Sequence, residues 1–103
     1  MIPLDFHRLA AQELAAVDER YAKQDQDLAD RFLRTMRATL ELIRVDPLGH
    51  AVEVGDIPSR RVPGIPYRIV FEYKEAMGVF VVAVMHDRRR PRYWRGRSTL
   101  ADS

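Results

Sequence analysis

The chain of 103 residues has no cysteine. No disulfide can staple it and no thiolate can act as nucleophile or metal ligand, which fits a reducing compartment. Long apolar runs are missing too. The longest uncharged stretch, Ala76 to His86, falls far short of the ~20 apolar residues that span a bilayer. The N-terminus carries Asp5, His7 and Arg8 early and lacks a signal-like apolar region, so a cytoplasmic protein without membrane contact is expected. Histidine is scarce and scattered. His7, His50 and His86 form no metal pattern, and no metal is expected. Gly49, Gly55 and Gly64 are too dispersed for a phosphate loop, and Ser59, Ser98 and Ser103 have no nucleophile setting, so no cofactor is expected. Lysine is nearly absent as well: Lys23 and Lys74 stand against 15 arginines. Arginine suits bidentate pairing and aromatic stacking better than lysine does.

What is present is enough for one domain over residues 1–103, with a core that needs no staples. Net charge is +2, but it is polarised: residues 1–59 balance at −4 and residues 60–97 at +7. The C-terminal half is therefore expected to face an acidic partner or nucleic acid.

Ile2, Leu4 and Phe6 alternate with Pro3, Asp5 and His7, the pattern of a short edge strand. From Arg8 the period lengthens. Ala10, Leu14, Val17 and Tyr21 predict an amphipathic helix to about Lys23, with Glu13, Asp18, Glu19 and Arg20 on its other side. The run 24–27 reads as a polar connection, with Asp27 capping a second helix whose buried stripe is Leu28, Phe32, Met36, Leu40 and Ile43. Asp46-Pro47-Leu48-Gly49 stops it. Two helices this close are expected to form an antiparallel hairpin. Residues 48–66, punctuated by Gly and Pro, read as irregular, with a short strand at Arg60-Arg61-Val62.

Tyr67 to Lys74 alternates. Tyr67, Ile69, Phe71 and Tyr73 are expected on the helices; Arg68, Val70, Glu72 and Lys74 are expected toward solvent or a partner. Glu75-Ala76-Met77-Gly78 makes the turn. Val79 to Met85 is apolar on both faces and predicts a central strand. His86 to Arg97 carries six arginines in twelve residues, broken by Pro91, and reads as an extended tail of that strand. The expected class is α+β: a short N-terminal strand and an antiparallel helix hairpin packed on a small antiparallel sheet.

With these elements in order, FHRLAAQEL opening the first helix, DLADRFL opening the second, and IPYRIVFEY followed by VFVVAVMHDRRRPRYWRGR together resemble the RelE/ParE toxin superfamily of type II toxin–antitoxin systems, nearer the ParE side. The resemblance covers nearly the whole chain. It implies a compact α+β toxin neutralised by a cognate antitoxin, in a possible hetero-oligomer with it. ParE-like members inhibit DNA gyrase by binding; RelE-like members cut mRNA on the ribosome. A plain nucleic-acid-binding module is the third reading.

Were the chain RelE-like, the resemblance would place catalysis on Arg68, Arg88 and Tyr93, and His86 could add a base or acid. Each has a simpler role available. Arg68 could cross the sheet to Glu72 or Asp87, His86 could end a strand and bond locally, and Tyr93 and Trp94 could pack on the sheet edge. Neither arginine is a plausible base, since guanidinium stays protonated. Under the ParE-like reading, Arg61, Arg89, Arg90, Arg92, Tyr93, Trp94 and Arg95 would meet the target or the antitoxin, unless the arginine run is only a solvated surface.

Overall fold

The computed structural model describes residues 2–54, 57–89 and 93–97. Its elements run β1 (Leu4–Phe6), α1 (Arg8–Gln24), α2 (Gln26–Val45), β2 (Val52–Val54), β3 (Ile57–Arg61), β4 (Tyr67–Lys74), β5 (Gly78–His86) and a 3-10 turn at Arg95–Arg97. The fold is α+β. The sheet has the order β1-β5-β4-β3-β2, antiparallel from β2 to β5, with β1 added parallel to β5. The mixed sheet follows from the helices lying between β1 and the rest of the sheet in sequence.

His7 caps α1, its Nδ1 accepting the Leu9 N–H at 3.0 Å. The predicted stripe holds: Ala10 and Val17 are buried, and Leu14 and Tyr21 pack against the same core. The helix connection is shorter than the expected run 24–27. Asp25 alone ends α1, donating its N–H to Tyr21 O at 2.9 Å, and starts α2, accepting the Asp27 N–H on its carboxylate at 2.9 Å. The cap is thus Asp25 and not Asp27. Arg44 Nε donates to Ile2 O at 3.0 Å, which brings the end of α2 back to the start of the chain and makes the helices antiparallel.

The buried side of α2 is Ala29, Phe32, Met36, Thr39 and Ile43. Leu28 is exposed and Leu40 half-buried, so the stripe leans one position away from the expected one. Thr39 tolerates burial because its hydroxyl donates to Thr35 O at 2.8 Å.

The region expected to be irregular apart from a short strand at 60–62 holds a hairpin, and Arg60 and Arg61 lie in its second strand. β2 and β3 pair from Val52↔Ser59 to Val54↔Ile57. Pro58 is compatible because the β3–β4 ladder begins only at Ser59, so its missing N–H removes no bond there. The turn into β4 uses Gly64 at φ 77, and Val62 N–H donates to Tyr67 O at 2.9 Å.

β4 and β5 form the expected hairpin, with Gly78 at φ 87 closing its turn. The ladder slips once: Phe71 faces Val81 and Val70 faces Ala83, leaving Val82 as an extra residue in β5. On one face Tyr67, Ile69, Phe71, Val79, Val81 and Val84 join the helices in the main core. The other face, expected toward solvent or a partner, is covered over much of its length, although Lys74 is exposed. Val70 and Glu72 are buried, and a second cluster of Ile57, Val70, Val82, Ala83, Met85 and Trp94 covers the sheet there.

Trp94 comes from the segment expected to run on as an extended tail. β5 ends at His86, the chain turns, and it returns to lay Trp94, 2% exposed, on the second cluster. Burying an indole offers more free energy than keeping the segment straight in water. No helix of the described residues is long and apolar enough to cross a membrane.

Candidate functional site

The site begins with a gap in strand pairing. β1 pairs with β5 only over Leu4↔Val79 to Phe6↔Val81, and His7 N–H closes the ladder on Val81 O at 2.8 Å. Beyond Val81 that edge of β5 has no strand beside it among the described residues, and exposed backbone edges invite foreign pairing. Side chains cover it. Glu13 Oε1 accepts the Val84 N–H at 3.1 Å and Arg97 Nη1 at 2.9 Å. Arg97 also reaches Val82 O at 3.3 Å. The Tyr93 hydroxyl donates to Glu13 Oε2 at 2.9 Å and lies 3.5 Å from Val84 O. One carboxylate therefore joins α1, β5 and the returning segment.

Beside this network lies a cavity of about 280 Å³ lined by Glu13, Ala16, Val17, Arg20, Tyr67, Val84, His86, Arg89 and Tyr93. Arg20 Nη1 donates to the Tyr67 hydroxyl at 3.0 Å. The His86 ring stands edge-on to Tyr67, 5.1 Å between centroids, and its Nδ1 accepts the Arg88 N–H at 3.0 Å. Arg89 stacks its guanidinium 4.1 Å from the Tyr93 ring centroid. Burial pushes the Tyr93 phenol up from its ordinary value. The bond to Glu13 and that carboxylate's charge add to the rise, while Arg97 and Arg89 oppose it.

Among the residues singled out by sequence, His86, Arg89 and Tyr93 meet at this cavity. Arg68 does not. It faces Met85 across the ladder while His86 faces Tyr67, so Arg68 and His86 leave the sheet by opposite faces. Arg68 donates to Ser59 Oγ at 3.1 Å, and Ser59 in turn donates to Val52 O at 2.6 Å. Asp87, one of the two acids considered with Glu72 as a partner for Arg68, pairs with Arg61 at 2.8 Å. Arg88 and Arg95 are exposed, and Trp94 is internal. Arg90 and Arg92 lie outside the described residues.

Sequence reasoning overlooked Glu13, Arg20 and Arg97 and treated Tyr67 as core only. A signal for the first two existed. Positions 10, 13, 17 and 20 are spaced by three and four, so Glu13 and Arg20 share the side of α1 that carries Ala10 and Val17. The earlier placement of Glu13 opposite the apolar stripe is corrected by its bonds to β5.

Among the described residues no group of histidines and carboxylates could hold a metal ion. A family model described as ParE toxin of type II toxin-antitoxin system, parDE, matches residues 4–91. No curated protein matches the chain.

Proposed function

We propose that this chain, which belongs to the ParE toxin family of type II toxin–antitoxin systems, inhibits DNA gyrase by binding it, with no bond-breaking chemistry of its own. Family membership makes it a toxin and implies a cognate antitoxin as partner.

The observation that carries the binding reading is the division of the candidate catalytic set by the sheet. Arg68, which would hold a phosphate, is on the face away from His86, which would move a proton. General acid–base catalysis needs both within reach of one reacting group. Tyr93 is a poor substitute, because its proton is bound to Glu13 and its raised pKa takes it further from neutrality. Arg88, Arg89 and Arg95, exposed around the returning segment, are the proposed contacts with the target, together with Arg61. Trp94 would support that surface from beneath. Leu42, Val45, Leu48 and Val52 are large exposed apolar side chains at the end of α2, in the turn that follows it and on β2, and they are proposed to meet the antitoxin.

A second reading has one observation in its favour: His86, Arg89 and Tyr93 do gather at one cavity. Ribosome-dependent mRNA cleavage would use them. Purified chain added to a supercoiling assay should inhibit gyrase, with programmed ribosomes leaving mRNA intact and Arg68→Ala still inhibitory. Cut mRNA, with supercoiling untouched, would reverse the order of the two readings. Tight binding to naked duplex without toxicity in cells would favour a simple nucleic-acid-binding module over both.

A further inference from the structure

We propose that the cavity between α1 and the end of β5 is a binding site for a phosphoryl group, held by Arg20, Tyr67, His86 and Arg89. The inference goes beyond the choice of target and does not depend on it.

The argument is an account of donors and acceptors. The one carboxylate in the lining has both oxygens engaged: Glu13 accepts from Val84 N–H, Arg97 and Tyr93, and Arg97 offsets its charge at 2.9 Å. The donors are not engaged in the same way. Arg20 uses one nitrogen on a neutral phenol, and no carboxylate among the described residues pairs with it. Arg89 sits over Tyr93, 4.1 Å from the ring centroid, and its guanidinium N–H groups meet no acceptor among the described residues. The Tyr67 oxygen accepts from Arg20, and its own hydrogen meets no acceptor among the described residues. His86 accepts at Nδ1, which puts the ring proton on Nε2, again without an acceptor among the described residues.

Four donors, two of them permanently cationic, therefore surround a cavity whose lining carboxylate is already paired with Arg97. A ligand rich in acceptors and negatively charged matches this lining, and guanidinium–phosphate pairs are among the strong charge-assisted hydrogen bonds. The volume of about 280 Å³ lies at the small end of ligand pockets, enough for a phosphate with little beyond its sugar. A nucleobase would have to compete for the Tyr93 ring with Arg89, 4.1 Å from its centroid, and Arg97, 5.1 Å from it. The four donors make the phosphate, more than the base, the group recognised.

The test is titration of the whole chain with inorganic phosphate, thymidine 5′-monophosphate and the dithymidine phosphodiester at constant ionic strength, followed by amide and His86 ring chemical shifts. At least one of them should saturate and move the His86 ring signals. The monoester binding best assigns the site to a terminal phosphate, and the diester binding best assigns it to the interior of a strand. Either supports the proposal. Arg20→Gln and Arg89→Gln should each weaken binding about tenfold, the loss of one charge-assisted contact, while Arg37→Gln on α2 should leave it unchanged. An amide spectrum of each variant that overlays the parent away from the cavity excludes misfolding as the cause. The proposal is overturned if no probe saturates, if all three variants respond alike, or if acetate competes as well as phosphate.

Discussion

The two faces of the sheet are closed by different means. On one, α1 and α2 lay a continuous apolar surface over Tyr67, Ile69, Phe71, Val79, Val81 and Val84. On the other, a short segment returns after β5 and seats a single indole on Val70, Val82, Ala83 and Met85. The first face is secured by many side chains on two long elements. The second depends on Trp94 and on the bonds that Tyr93 and Arg97 make to Glu13. The difference teaches where positive charge goes unbalanced: α1 and α2 carry six arginines among six acidic residues, whereas Arg88, Arg89, Arg95 and Arg97 share the lightly held segment with Asp87 as its one acid.

The comparison can be broken most severely from the helix side. Phe71→Ala removes a fully buried ring and should cost about 4–5 kcal/mol, read as a lower denaturant midpoint for the whole chain. Trp94→Ala should cost less, about 3 kcal/mol, because the short segment above it can collapse or lift. It should also make the arginines after Asp87 quick targets for trypsin while the helices stay protected. Equal protection of both regions in that variant would remove the contrast between the faces.

Gly78→Ala comes next, at about 1–3 kcal/mol, measured as a fall in melting temperature. The residue has φ 87, and a Cβ there would collide with the Pro3 carbonyl oxygen, which accepts the Val79 N–H.

Tyr93→Phe is the mildest, about 1 kcal/mol at neutral pH, and it sharpens the comparison through pH. Folding favours the neutral phenol, so its contribution is complete below the unfolded pKa of about 10 and is lost as pH rises beyond it, toward the raised folded value. The parent should therefore lose stability more steeply than Tyr93→Phe above about pH 10. Parallel alkaline limbs in the two melting curves would deny Tyr93 this role.

Much of the helix-covered face was legible in the sequence. Ala10, Leu14, Val17 and Tyr21 carry the helical period in plain view, and Tyr67 to Lys74 carries the strand period. The other face was harder to read, because its partners are distant in sequence. Nothing near Trp94 announces that it will lie on Val70 and Ile57. The β2–β3 hairpin was hidden for a different reason: Pro58, Pro63 and Gly64 signal loops locally, and only the point where the ladder starts makes Pro58 acceptable. At the cavity, His86, Arg89 and Tyr93 stood out by residue type. Glu13 and Arg20 did not, because charged residues on a helix are usually solvated and only their bonds to Val84 and Tyr67 distinguish them.

The extra residue in β5 has an effect larger than its size. Counted by simple alternation from Val81, the side chains sharing its face would be Ala83 and Met85. Because Val82 is looped out, the phase changes, and Val84 and His86 take those places opposite Ile69 and Tyr67. A single stutter in the strand therefore decides whether the cavity receives an imidazole or a thioether.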